Sequence, residues 1–151
     1  MPNFVYHVRS DKDTDFTTEI VQNAGDPENL VLPGALSGVG GNARIRIKNL
    51  AILSIENLAW EVWLFANDLF QESNLDADRF LGFWTFAAAD AKRIAATGTY
   101  YYYVEDLDIP YVDLDNTSEL HVMLVNRSAA AKTAGAAGYV VLDFAAEVEG
   151  P

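Results

Sequence analysis

Carboxylates are the residues of this sequence most densely placed for chemistry. Glu105, Asp106, Asp108, Asp113 and Asp115 fall within the eleven residues EDLDIPYVDLD, and loop carboxylates at such spacing can share one hard cation such as calcium. Asp106, Asp108, Asp113 and Asp115 are therefore the candidate metal ligands, against the plainer reading of a solvated acidic loop turned by Pro110. The expectation is no cofactor, with calcium on these carboxylates as the alternative. Asp11, Asp13 and Asp15 imitate the start of an EF-hand loop, but Phe16 stands where that loop needs glycine and Gln22 where it closes with glutamate.

Nucleophilic and phosphate chemistry find less support. His7 and His121 lie on different expected strands, with no G-x-S-x-G elbow and no H-E-x-x-H helix to accompany them. The run Gly38-Val39-Gly40-Gly41 reaches Ala43 where a dinucleotide loop has its third glycine, and it lacks the Gly-Lys-Ser/Thr ending of a phosphate loop. We therefore expect a surface connection over residues 33–42 and no enzymatic activity. Asn116-Thr117-Ser118 and Asn126-Arg127-Ser128 match the glycosylation acceptor pattern, which without an export signal reads as coincidence.

Aromatic residues offer recognition instead of catalysis. Trp60, Trp63, Trp84 and the run Tyr100-Tyr101-Tyr102-Tyr103 can supply a stacking surface for sugar rings. On a strand, alternation puts two of the four tyrosines on each face. One pair then fills the core, and Tyr101 and Tyr103 are the candidates for ligand stacking. Trp and Tyr serve protein interfaces equally well, so residue type leaves both roles open.

The elements that position these groups are strands. Alternating apolar residues outnumber helical spacings nearly everywhere. Arg44-Ile45-Arg46-Ile47-Lys48 sets two isoleucines against three cations, and Leu50 and Ile52 continue in the opposite phase, which predicts a bulge near Asn49. Leu58, Trp60, Val62 and Leu64 share one face of the next strand; Ala59, Glu61, Trp63 and Phe65 share the other, which needs cover from loops or a partner. Further strands are expected at 80–86, 94–96, 100–105, 119–126 and 139–149, with shorter ones at 4–8 and 17–21. Turns fall near 67–68, 113–116 and Gly138. The alanine-rich runs 87–92 and 129–137 are too short for stable helices and read as loops. About eight such strands describe an all-β chain, an antiparallel β-sandwich of the jelly-roll kind.

Length and charge bound the partners. The 151 residues, 50% of them hydrophobic, suit one sandwich domain spanning 1–151. A net charge of -12 repels nucleic-acid phosphates, so no nucleic-acid role is expected. Cysteine is absent, which excludes disulfides and thiolate metal sites. No run approaches the length of a membrane span, and residues 1–10 lack the pattern of an export signal; a soluble chain without a membrane partner is the expectation.

From about Arg44 onward the chain resembles small β-sandwich structural proteins of tailed bacteriophages, the head decoration or cement proteins. The stretches that carry this are IENLAWEVWLFAND (55–68), FLGFWTFAAADAKRI (80–94), YYYYVEDLDIPYVDLDNTSELHVMLVNRSAAAKTAGAAG (100–138) and YVVLDFAAEVE (139–149). They cover roughly two-thirds of the chain; residues 1–43 match nothing in that family and are expected as an extended arm or a pair of sandwich strands. The resemblance implies a non-enzymatic virion protein on the capsid exterior, assembled in the host cytoplasm. Its partners would be the major capsid protein and neighbouring copies of itself, commonly as a homotrimer. On that reading Trp63 and Phe65 would make a protomer or shell contact, and Arg44, Arg46 and Lys48 would meet carboxylates on a neighbour. The alternative is a carbohydrate- or receptor-binding sandwich module, tail-associated or secreted, using Tyr101 and Tyr103.

Overall fold

A computed structural model describes residues 5–34, 36, 44–67, 80–94, 98–114, 117–135 and 139–148. Within them the backbone forms β1 (Tyr6–Arg9), β2 (Gly25–Val31), β3 (Arg44–Ser54), β4 (Trp60–Phe65) and β5 (Phe80–Phe86). A 3-10 turn at Ala88–Asp90 leads to β6 (Lys92–Ile94), β7 (Thr99–Val104), β8 (Ile109–Val112), β9 (Glu119–Asn126) and β10 (Val140–Val148). All pairings between these strands are antiparallel.

The pairings nest. β1 pairs with β10, β2 with β9, β3 with β7, and β4 with β5. Successive nested pairs fall into alternate sheets, with order β1-β10-β3-β7-β6 in one and β2-β9-β4-β5 in the other. A long antiparallel hairpin rolled up in this way is a jelly roll. Among the described residues ten strands stand where about eight are expected; β2 and β8 have no expected counterpart, β8 continuing beside β3 after β7 ends. The stretch 1–43 contributes β1 and β2, one to each sheet.

Alternation explains which side chains meet. Ile45, Ile47, Leu50 and Ile52 of β3, Leu142 and Phe144 of β10, Trp60, Val62 and Leu64 of β4, and Leu120, Val122 and Leu124 of β9 bury into one core. Burying an aliphatic side chain fully contributes about 1.5–3 kcal/mol, so this layer dominates the stability of the fold. The predicted phase change in β3 is present: Asn49 pairs with Ala145 and Ile47 with Ala146, leaving Lys48 as the extra residue of a bulge. In β10, Val148 is exposed at the strand end. Tyr102 enters the core and donates from its hydroxyl to the Leu58 carbonyl at 2.7 Å; burial pushes its phenol up to about 12.

Gly25–Val31 (GDPENLV), which falls outside the expected strands, is a strand. Pro27 is tolerated because β2 is an edge strand paired only with β9 among the described strands. Residues 17–21 form no strand: Ile20 makes a single bridge with Lys132. Lys132, buried, spends its ammonium on the carbonyls of Phe16 and Thr18, which ties the connection down without a ladder. The expected turn at Asp68, the ends of the expected strands at 4, 95–96 and 149, Gly138, and most of the glycine-rich segment lie outside the described residues. Among the described residues no helix is long and apolar enough to cross a membrane.

Candidate functional site

The two sheets pack face to face, so their outer faces look in opposite directions. Each carries an aromatic feature.

On the four-stranded sheet, Trp63 and Phe65 project away from the main core and join Met123 and Val125 in a second apolar cluster. A bulge builds it. Trp63 pairs with Phe83 but Phe65 with Phe80, so one residue of β5 is skipped. Residues three apart on a strand ordinarily face opposite sides; the skip puts both Phe80 and Phe83 beside Trp63, with ring centroids 5.6 and 6.0 Å from it. Gly82, at φ +137°, occupies the irregularity in a conformation that side-chain-bearing residues rarely adopt. Arg127 closes one side, its guanidinium 6.0 Å from the Trp63 ring and 3.1 Å from Glu61, which also accepts the Trp63 indole N–H at 2.9 Å.

The rings expected at an interface are thus covered by their own chain. Phe65 has no exposed surface and Trp63 only 8%. The exposed member of the patch is Phe83, at 52%, and Leu81 of the same strand is exposed as well; composition alone did not single them out. The skipped residue is the signal that escapes a sequence reading, because perfect alternation assigns Phe80 and Phe83 to opposite faces.

The cations of β3 also find partners at home. Arg46 and Lys48 each lie 3.3 Å from Asp108, and Lys48 lies 3.9 Å from Glu147. The reason is local: β8 pairs with Arg44–Ile47 of β3, so the turn before β8 delivers Asp108 to the cations. Arg44, at the start of β3, is exposed.

The carboxylates of the acidic loop have other partners. Asp113 is fully buried and accepts from the Thr117 and Glu119 amides at 2.8 and 3.2 Å, with His121 Nε2 at 3.1 Å. His121 Nδ1 in turn meets Asn29 at 2.7 Å. Burial opposes the Asp113 charge, but His121 and the Glu119 amide outweigh it and hold the carboxyl below its ordinary value. Asp108 is committed to Arg46 and Lys48, Asp106 sits at a turn with φ 60°, and Asp115 lies outside the described residues. Among the described residues no three His, Asp or Glu side chains converge on a cation position. Asn126 of the second glycosylation-like triplet is buried, donating to the Ile20 and Ala130 carbonyls at 2.9 Å; Asn116 of the first lies outside the described residues.

On the six-stranded sheet, Tyr101 and Tyr103 stand on the outer face as alternation requires, while Tyr102 enters the core. Their rings are nearly parallel, 15° apart, with centroids separated by 5.9 Å. They wall a trough of about 240 Å³ whose other lining residues are Asn49, Ala51, Ala145, Asp143 and His7. A larger dish of about 440 Å³ lies at the end of β1, lined by Arg9 to Asp13 and Val141. It holds no aromatic ring; nearby, Asp11 and Asp15 accept local backbone amides and Asp13 pairs with Lys12 at 3.0 Å.

No protein-family model matches this chain, and no curated protein matches it. Among solved structures it is similar to the crystal structure of tomato aspermy virus, at 10% identity over 99% of this chain and 79% of that one, with a TM-score of 0.49. It is also similar to the structure of the empty head of turnip yellow mosaic virus, at 9% identity over 100% of this chain and 83% of that one, with a TM-score of 0.29. The fold class rests on the nested strand pairing of the chain itself: it is a jelly roll of two antiparallel sheets.

Proposed function

We propose that this chain is a non-enzymatic virion structural protein, a decoration or cement protein that sits on a capsid and bridges neighbouring shell subunits. The observation that carries the reading is the aromatic patch on the four-stranded sheet, built by a bulge and left open at Phe83. Jelly rolls recur in viral capsid and lectin domains, and exposed aromatic surface backed by a rigid cluster is what a protein contact uses for its central anchor. Phe83 is that anchor. Trp63 and Phe65 support it from beneath instead of touching the shell themselves.

The charge distribution fits a basic or neutral counter-surface, since the chain carries 22 acidic against 10 basic residues. Arg44, Arg46 and Lys48 form the exception, and the exposed pairs of Arg46 and Lys48 with Asp108 are weak enough to be exchanged for a neighbour's carboxylates. Major capsid protein and further copies of this chain, as a trimer, are the proposed partners, with the capsid exterior as the location.

Density-gradient sedimentation of source lysate, with mass spectrometry of the particle fractions, tests this. Co-migration in fixed ratio with a dominant shell protein is expected. A chain recovered only in the free, slowly sedimenting fractions contradicts it.

A further inference from the structure

The trough on the opposite sheet has the geometry of a ligand site. Strand register sets it out in rows. Tyr103 pairs with Ala51, and Ala51 with Asp143, so a ring, a methyl group and a carboxylate stand side by side across β7, β3 and β10. In the next row Asn49, Ala145 and His7 follow one another across β3, β10 and β1. Neighbouring strands are about 4.8 Å apart, so the small side chains of Ala51 and Ala145 open a slot about 10 Å wide between an aromatic wall and a polar one. His7 Nδ1 lies 2.8 Å from Asp143 Oδ1 and fixes the carboxylate. The far flank of the tyrosines is open as well, in a second hollow of about 150 Å³ that Asp90 and Lys92 complete.

We propose that this trough is a subsite for a neutral polysaccharide. The C–H face of a sugar ring would lie against Tyr101 and Tyr103, as apolar faces do on aromatic rings, while hydroxyl groups donate to Asp143 and pair with the Asn49 amide. Arg9, 4.0 Å from Asp143, and Lys92 beside Asp90 balance the local carboxylates, and the net charge of -12 disfavours an anionic chain. A peptide adding as a strand has no purchase, because β3 and β10 are paired on both sides and offer no free edge. The volume is below the roughly 300–1,000 Å³ of sites that enclose a whole small molecule, and suits one station on a polymer lying across the sheet. This inference does not depend on the shell-binding reading, since the trough and the Phe83 patch are on opposite faces.

Affinity electrophoresis of the full chain in native gels containing dextran, galactomannan or xylan, with alginate as the anionic control, tests it. At least one neutral polymer should retard the protein and alginate should not. Tyr103→Ala and Ala51→Leu, the first removing a ring and the second filling the slot, should each weaken the retardation by about tenfold or more. Both are surface changes whose folding circular dichroism verifies, and Phe83→Ser should leave retardation unchanged. No retardation by any of the three neutral polymers, retardation by alginate alone, or retardation that survives in either trough variant would overturn the proposal.

Discussion

Asp113 is the residue whose burial demands most from its neighbours. A carboxylate with no exposed surface is held by two backbone amides and His121, and His121 by Asn29, which connects the β8–β9 turn to β2. Removing one partner of such a group leaves the rest unsatisfied in the interior. Asp113→Ala should therefore lower stability by about 3 kcal/mol in urea unfolding. The pH dependence follows in sign. The folded-state carboxyl is depressed below the ordinary value of 3.8, so its contribution is fully present above about pH 4 and is lost as pH falls through the folded value. Asp26 and Glu28, raised by burial, act in the opposite sense. Wild type should consequently lose more stability than Asp113→Asn between pH 4 and pH 2; equal losses would show that folding does not depress the Asp113 carboxyl.

At the scale of elements, the bulge in β5 is what converts a sandwich into one with a sticky face. Gly82 at φ +137° has open space around the position of a Cβ, so the cost of a side chain there is purely in the backbone. Gly82→Ala should destabilise by about 1–3 kcal/mol and part Phe80 from Trp63, seen as a red shift of tryptophan emission. An unchanged unfolding midpoint and unchanged emission would mean that the strand accommodates the irregularity elsewhere. This element also marks where the sequence stops being legible. The strands Glu119–Asn126 and Phe80–Phe86 have the bounds expected of them, and the bulge in β3 was visible as a phase change of isoleucine and leucine. β2 was hidden because Gly, Asp, Pro and Asn are turn residues until an edge position makes them acceptable. The outward pair Tyr101 and Tyr103 was readable from alternation alone, whereas their trough was not, since its floor and far wall come from residues 40 or more positions away in sequence.

For the whole molecule, the two proposed roles fall on opposite faces. One sheet offers Phe83 over a packed aromatic base, the other a polar trough, and the core between them holds the faces apart. Phe83 is half exposed but packs on Trp63 and Phe80, so Phe83→Ser should cost the free chain about 1 kcal/mol and leave it folded. Its loss should show in particle occupancy, which is expected to fall at least about tenfold, as for an interface anchor. A large drop in the melting temperature of the free variant would instead assign Phe83 to folding.

The proposal that the chain cements a shell is tested most directly by the disruption temperature of particles stripped of it and then re-supplied with purified protein. A cement predicts saturable binding and a disruption temperature that rises with occupancy, with Phe83→Ser failing to restore it. Particles that disrupt at the same temperature with and without the bound chain would contradict a cementing role.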